Sequence, residues 1–376
     1  MLQKMFPVHN RIGAITKPMT KESPLEIGWK NEEIAGLQPD EVLVKVRASA
    51  ICGSDLHIAR GLHPSVKDYP CTIGHEFAGD VVAIGSGVTS VHLGERVTVE
   101  PCIVCGKCDA CRHGNYGYCE HITYTYRIGH GAMANYVVVK EPYVYELPQY
   151  LNYQTGALME PLSVATHAVR RANIGLGERV LIIGAGAIGM MVAAMCHAAG
   201  AGQVIIADFS ENRLETAKQI GADVAICSAK LPIKKDKNGN QIVDDDDGLV
   251  QEVRRLTGGK GVDKAFEAVG KQSCMEQALH SLVHNGLLTI IGIYEKPITN
   301  FNSSIMITRE LRVQGAQGYC WDFPVAIAAA KNIPLEKFIT HTFSLDQFEE
   351  ALNTALDRNS KSIKVEILED GENGEE

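Results

Sequence analysis

The sequence predicts an α/β protein of two domains, one mostly antiparallel β-structure and one a doubly wound parallel sheet. Three observations carry this. At 376 residues the chain exceeds what one hydrophobic core comfortably serves. Between residues 38 and 100, short β-rich runs (EVLVKVRASAI, AGDVVAIGSG, ERVTVEP) are broken by glycine, as in antiparallel hairpins. From about residue 155, apolar strands (RVLIIG, QVIIAD, DKAFEAV, LLTIIGI) alternate with helical stretches (GMMVAAMCHAAG, NRLETAKQIG, SCMEQALHSLV), which implies βαβ units.

At the N-terminus, MLQKMFPVHNRIG has no apolar core of the kind a secretory signal needs. A cytoplasmic location is therefore expected, and the eleven cysteines read better as reduced thiols than as a disulfide framework. Hydrophobic content of 45% and charge of 22% are ordinary for a soluble protein, and a net charge of -9 argues against a nucleic-acid partner. Residues 180 to 202, VLIIGAGAIGMMVAAMCHAAGAG, are long and apolar enough to imitate a membrane span. Glycines interrupt the stretch, so a strand, turn and helix explain it better, and no membrane partner is expected.

The run PCIVCGKCDACRHGNYGYCE, residues 101–120, holds five cysteines: Cys102, Cys105, Cys108, Cys111 and Cys119. A tetrahedral zinc site needs four thiolates, and spacing alone admits either Cys102 or Cys119 as the fourth. C-x2-C-x2-C also begins a ferredoxin run, but no Cys-Pro closes it and Asp, Lys and Arg intrude, which favours zinc. Isolated ligand types stand elsewhere: Cys52 in ICGSDLH, His75 and Glu76 in IGHEFAGD, and Glu160 in MEPLSVATHAV. Cysteine, histidine and glutamate suit zinc, and three protein ligands with an open position define a catalytic site. Singly, each also reads as a core cysteine, a satisfied histidine or a helix-start charge.

RVLIIGAGAIGMMV places Gly184, Gly186 and Gly189 at G-x-G-x-x-G spacing, with Ile188 inside the turn, after an apolar strand and before an apolar helix. In that context the first glycine permits the turn, the second admits a pyrophosphate and the third lets helix and strand pack closely. Amides at the helix start then face an anion. QVIIADFSENR ends the next strand at Asp208, whose carboxylate suits both ribose hydroxyls and repels a 2′-phosphate, favouring NAD; Arg213 is the opposing signal.

Residues 228–248, SAKLPIKKDKNGNQIVDDDDG, are polar and read as an exposed insertion. Asp236, Asn238, Asn240, Asp244 and Asp247 faintly echo a calcium loop, but Gln241 stands where glycine is wanted. A helix-rich tail is expected after residue 318, ending in a frayed EDGENGEE.

CGSDLH, GHEFAGDVVAIGSGV, the cysteine lobe and EPLSVATHAVRRANIGLGERVLIIGAGAIG occur in the order found in the zinc-dependent medium-chain alcohol and polyol dehydrogenases, which the chain resembles from about residue 38 to 366. The sorbitol dehydrogenase branch is the nearest likeness. The resemblance implies a GroES-like catalytic domain (1–164) and a Rossmann domain (165–318), with residues 319–376 returning to the catalytic domain. It implies a catalytic zinc at Cys52, His75 and Glu76 or Glu160, with Asp55 orienting His75, and a structural zinc at Cys105, Cys108, Cys111 and Cys119, leaving Cys102 spare. Ser54 and His57 would relay the hydroxyl proton. The implied reaction is NAD-dependent oxidation of a secondary hydroxyl of a polyol, diol or small alcohol, by a homodimer or homotetramer. In QGAQGYCWDFPVAI, Gly318 replaces an arginine that contacts polyol in that branch, while Tyr319 and Trp321 would shape the pocket. L-Threonine dehydrogenase is the near alternative; a non-enzymatic binding or structural protein on the same scaffold is the alternative of another class.

Overall fold

The computed structural model describes residues 6–237, 239, 241–299 and 301–369. The chain forms two compact units. One comprises residues up to Glu160, Ala326–Lys331 and the stretch from Phe338 onward; the other comprises Pro161–Val325 and Asn332–Lys337.

In the first unit, the central sheet runs Val144–Glu146, Arg96–Val99, Glu76–Ile84, Glu41–Ala50, Lys364–Leu368, Ile339–Ser344, with Tyr136–Lys140 also pairing Glu41–Ala50. All pairings are antiparallel except that between Ile339–Ser344 and Lys364–Leu368. Alternate residues Val42, Val44 and Val46 meet Phe77, Val81, Val97 and Val99 in one core, the period of two expected of strands. Fully burying a side chain such as Phe77 contributes roughly 1.5–3 kcal/mol. A second sheet joins Glu26–Ile34, Val8–Lys17 and Cys71–Thr72.

The second unit holds a six-stranded parallel sheet in the order Val224–Cys227, Gln203–Asp208, Arg179–Ile183, Val262–Glu267, Leu282–Ile290, Arg312–Gly315. In sequence terms this is 3-2-1-4-5-6, the Rossmann order. Leu181, Ile183, Ile205 and Ala207 lie in the buried core, and intervening Val180, Ile182, Val204 and Ile206 are buried too. Burial on both faces explains why these strands read as unbroken apolar runs. Among the described residues no helix is long and apolar enough to cross a membrane; the apolar helix after the glycine turn, Ala187–Ala198, has 12 residues.

One expectation changes. The stretch after residue 318 is not simply helical: besides helices Phe323–Ala330 and Phe348–Leu356 it supplies two strands to the first sheet. Lys364 and Glu366 interrupt the apolar pattern that would have marked the second of these. In the insertion, carboxylates among the described residues pair with protein groups. Asp244 pairs with Lys234 at 2.8 Å, and Asp247 caps helix Gly248–Leu256 while accepting from Gln241 and Gln277. Asp245 binds Arg254, His280 and Arg309. Asn238, Asn240 and residues 370–376, including most of the expected frayed end, lie outside the described residues.

Candidate metal and dinucleotide sites

Cys52 precedes helix Gly53–Ala59, and Asp55 in its first turn accepts from the Cys52 amide at 2.9 Å and the Gly74 amide at 3.3 Å. That carboxylate ties the helix start to the segment carrying His75 and Glu76. The Cys52 sulfur, a His75 ring nitrogen and a Glu76 oxygen lie within 4.8 Å of one another. Zinc with ligand bonds of about 2.0–2.3 Å spaces its tetrahedral ligands roughly 3.3–3.8 Å apart, so the donor set fits that ion after small adjustment. His75 Nδ1 faces Asp55 Oδ1 at 3.6 Å and makes no hydrogen bond, while Nε2 lies 3.4 Å from Ser54 Oγ. Asp55 thus stands where a carboxylate orients a ligating imidazole. His57 follows on the same helix, half-buried.

Glu76 is fully buried and both its oxygens are held by Lys364, itself 4% exposed. Burial disfavours the ammonium, but Glu76 and then Cys52 outweigh it and keep Lys364 charged. Two residues on, Glu366 is buried with neither oxygen hydrogen-bonded, and Gln154 approaches without closing a bond. Burial pushes its pKa up to about 8, only partly offset by nearby Gln154 and then Lys364. Sequence reasoning missed both residues. The available signal was a lysine and a glutamate at alternate positions of a short apolar stretch. Glu160, 6% exposed in the first turn of helix Met159–Ala172, acts electrostatically on His75 and Lys364 but is not among the gathered ligand atoms.

In the cysteine lobe four thiols lie together and a fifth lies apart. Cys105, Cys108, Cys111 and Cys119 bring their sulfurs within 4.8 Å of one another, Cys105 and Cys119 at 3.6 Å. Backbone amides turn toward them: Cys108 N–H to Cys105 Sγ at 3.3 Å, Cys105 N–H and His121 N–H to Cys119 Sγ at 3.4 Å. Amides of Lys107 and Cys108 draw the Cys105 thiol down to about 6, whereas desolvation and the neighbouring sulfurs push Cys111 up to about 12. Crowded thiols that cannot all ionise alone suit a cation that takes all four as thiolates. Cys102 points elsewhere: 2% exposed, it donates to Glu100 Oε1 at 2.8 Å, and burial followed by that carboxylate raises its pKa.

In the second unit, Gly184 has φ +107 and donates to Ala207 O at 2.8 Å, closing the turn against the neighbouring strand. A Cβ on Gly189 would meet Gly184 O at 1.8 Å, so that glycine is required for close packing. Gly186, at the N-cap of helix Ala187–Ala198, has nothing within 4 Å of the Cβ position. Open space before free helix amides fits a pyrophosphate. Ile188 is half-exposed beside it. Asp208 accepts from Ala185 N at 2.7 Å and Ser210 N at 2.8 Å, one bond per oxygen, which leaves acceptor capacity on both. Arg213 lies one turn into the following helix, half-buried, its amide bonded to Ser210 Oγ.

Gly318 has φ +58 and Trp321 φ +61. Buried Asp322 holds this bend through Cys320 N at 2.8 Å, His167 at 2.8 Å and Arg170 at 2.6 Å. Tyr319 is buried edge-on to Phe323, whereas Trp321 is 59% exposed.

Residues 38–149 match the alcohol dehydrogenase GroES-like domain, and residues 187–332 match the zinc-binding dehydrogenase family. Sorbitol dehydrogenase of Bacillus subtilis is 32% identical over 348 residues, 91% of this chain and 94% of that one. D-Arabitol-phosphate dehydrogenase of Enterococcus avium is 30% identical over 334 residues, 87% and 90% of the two chains. The crystal structure of 2R,3R-butanediol dehydrogenase from Bacillus subtilis superposes with a TM-score of 0.80 at 29% identity, covering 96% of this chain and 99% of that one. With the Rossmann strand order, the thiolate lobe and the Cys-His-Glu cluster, these matches establish that the chain belongs to the zinc-dependent medium-chain dehydrogenases.

Proposed function

We propose that the chain is an NAD- and zinc-dependent dehydrogenase that reversibly oxidises a secondary hydroxyl of a polyol, diol or related small alcohol to a ketone. The meeting of Cys52, His75 and Glu76 donor atoms carries this reading. Zinc at those residues supplies Lewis acidity toward a hydroxyl, and NAD supplies the hydride acceptor. Asp55, 3.6 Å from His75 Nδ1, orients the ring as a carboxylate behind a ligating imidazole does. Ser54 Oγ, at 3.4 Å from that nitrogen, takes the substrate proton, and His57 passes it toward solvent. Glu160 and Lys364 set the charge around Glu76. Cys105, Cys108, Cys111 and Cys119 hold a second zinc in a closed site that does no chemistry. Gly184, Gly186, Ile188 and Gly189 seat the pyrophosphate, and Asp208 takes the ribose and disfavours a 2′-phosphate despite Arg213.

The relatives described above are named for a neutral polyol, a polyol phosphate and a diol; a threonine dehydrogenase is not favoured. NADH formation with sorbitol, xylitol, butanediol and threonine, repeated with NADP, tests the reading. Turnover of threonine alone, or of no alcohol, overturns it. A homodimer or homotetramer in the cytoplasm is the accompanying expectation, checked by sedimentation and fractionation.

A further inference from the structure

In the second unit, Glu267 closes strand Val262–Glu267 and is fully buried. Its Oε1 accepts the Val269 amide at 2.9 Å and the Gly270 amide at 2.8 Å, so one carboxylate oxygen pins the turn that leaves the strand. Its backbone oxygen accepts the Ile291 amide at 2.8 Å and the Gly292 amide at 3.0 Å, where the neighbouring strand Leu282–Ile290 ends. The two turns touch. A Cβ on Gly292 would fall 2.2 Å from Gly270 N and 2.7 Å from Glu267 Oε2, and one on Gly270 would fall 2.1 Å from Ile293 O. On the other side, the Ala268 amide donates to Ile183 O at 2.9 Å, and a Cβ on Gly184 would fall 2.8 Å from Val269 Cγ2. The Glu267 carboxyl thus sits where the turns after three adjacent strands meet, one of them the glycine turn that seats the pyrophosphate.

Packing alone does not call for a carboxyl here. Glu267 Oε2 is buried and, among the described residues, has no hydrogen-bond partner, Tyr294 approaching without closing a bond. Burial raises the pKa, against the pull of the Gly270 and Val269 amides. An apolar side chain would fill the space and leave no buried oxygen to satisfy. What it could not do is accept two amides. The turns so fixed carry exposed apolar side chains: Val269 is 40% exposed and Ile293 43%. In an open sheet of this strand order a dinucleotide lies across the carboxyl ends where the order reverses, between strands Arg179–Ile183 and Val262–Glu267. With the adenosine ribose at Asp208 and the pyrophosphate at the glycine turn, the nicotinamide half falls over the turns that carry Val269 and Ile293.

We propose that Glu267 is a positioning residue for the nicotinamide half of the dinucleotide: its Oε1 holds the Val269–Gly270 turn, and through it Ile293, so that Val269 and Ile293 offer that half an apolar contact already in place. The proposal rests on the dehydrogenase reading and adds a residue to it. Being fully buried, Glu267 acts on the cofactor only through these turns. Ordering a contact beforehand raises affinity, because binding then loses less conformational freedom.

The test titrates the full chain with NADH and with ADP, which keeps the adenosine and pyrophosphate but lacks the nicotinamide and its ribose. Glu267→Leu should weaken NADH by about tenfold or more and leave ADP within about twofold, because only one half of the cofactor loses its seat. Glu267→Gln keeps an oxygen that can accept both amides and should restore most of the NADH affinity. The emission of bound NADH should shift toward that of the free cofactor in Glu267→Leu and not in Glu267→Gln. NADH binding unmoved by leucine, NADH and ADP weakened together, or a glutamine variant no better than leucine overturns the proposal. If Glu267→Leu does not fold, Val269→Ala combined with Ile293→Ala, both at exposed positions, decides the matter. NADH weakened about threefold or more with ADP unchanged then supports the proposal, and any other result overturns it. Neither zinc nor an alcohol enters these titrations, so a negative result leaves the dehydrogenase reading standing. A parent chain that binds no NADH defeats that reading itself.

Discussion

Substituting alanine at Gly186 and at Gly189 separates cofactor contact from packing, because the two positions differ in what a Cβ would meet. At Gly189 the new carbon falls 1.8 Å from Gly184 O, where real Cβ contacts do not go below 3.0 Å, so the turn or helix must move by at least the difference, 3.0 − 1.8 = 1.2 Å. That displacement strains the Gly184 N–H bond to Ala207 O. Overpacking of this kind costs about 1–3 kcal/mol and a weakened hydrogen bond about 1 more, so Gly189→Ala should lose roughly 2–4 kcal/mol. For a unit of this size that is a fall of roughly 5–15 °C in Tm. At Gly186 the carbon meets nothing within 4 Å and the backbone, φ −76 and ψ 180, is ordinary for alanine. Stability should therefore change by less than about 1 kcal/mol. The methyl occupies the space the pyrophosphate needs, so NADH affinity should fall about tenfold or more, equivalent to about 1.4 kcal/mol. At NADH a hundred times the parent Kd, ligand stabilisation of about 2.7 kcal/mol should drop to about 1.4. Thermal unfolding with and without NADH, backed by NADH fluorescence titration, reads both effects. Full NADH stabilisation in Gly186→Ala, or an unchanged melting temperature in Gly189→Ala, would refute the reasoning.

Two further outcomes concern the buried charges. Lys364→Met leaves Glu76 without its cation in a fully buried place, and removing one partner of such a pair should cost about 3–5 kcal/mol in denaturant titration of metal-free protein; a cost below about 1 kcal/mol would mean Glu76 is solvated. Glu366 has its pKa raised from 4.5 to about 8, so the folded state holds a proton that the unfolded state has released between those values. Its contribution to stability is full below pH 4.5 and is lost as pH rises toward 8, and Glu366→Gln should flatten that part of the stability curve. An equal pH slope in the variant would show that the carboxyl is not protonated.

What could be read before folding was local. The Rossmann half announced itself because strands buried on both faces are unbroken apolar runs, and Gly184, Gly186 and Gly189 sit within one turn. The four lobe cysteines span fifteen residues, so their grouping was legible, yet their even spacing left Cys102 and Cys119 equally eligible until burial and the Glu100 contact separated them. Lys364 and Glu366 were illegible for the opposite reason. The partner of Lys364, Glu76, lies 288 residues away in sequence, and charged residues on a central strand break the pattern by which strands are recognised.

The most direct measurement is zinc content per chain in a cysteine series, with turnover of a polyol followed alongside. The parent protein should hold about two zinc ions, Cys102→Ser should keep both, and Cys119→Ser should lose the lobe's ion. Cys52→Ser should lose the other together with all turnover. Zinc retained at two in both Cys52→Ser and Cys119→Ser, or turnover surviving the Cys52 change, would contradict the assignment of chemistry to the Cys52, His75 and Glu76 cluster.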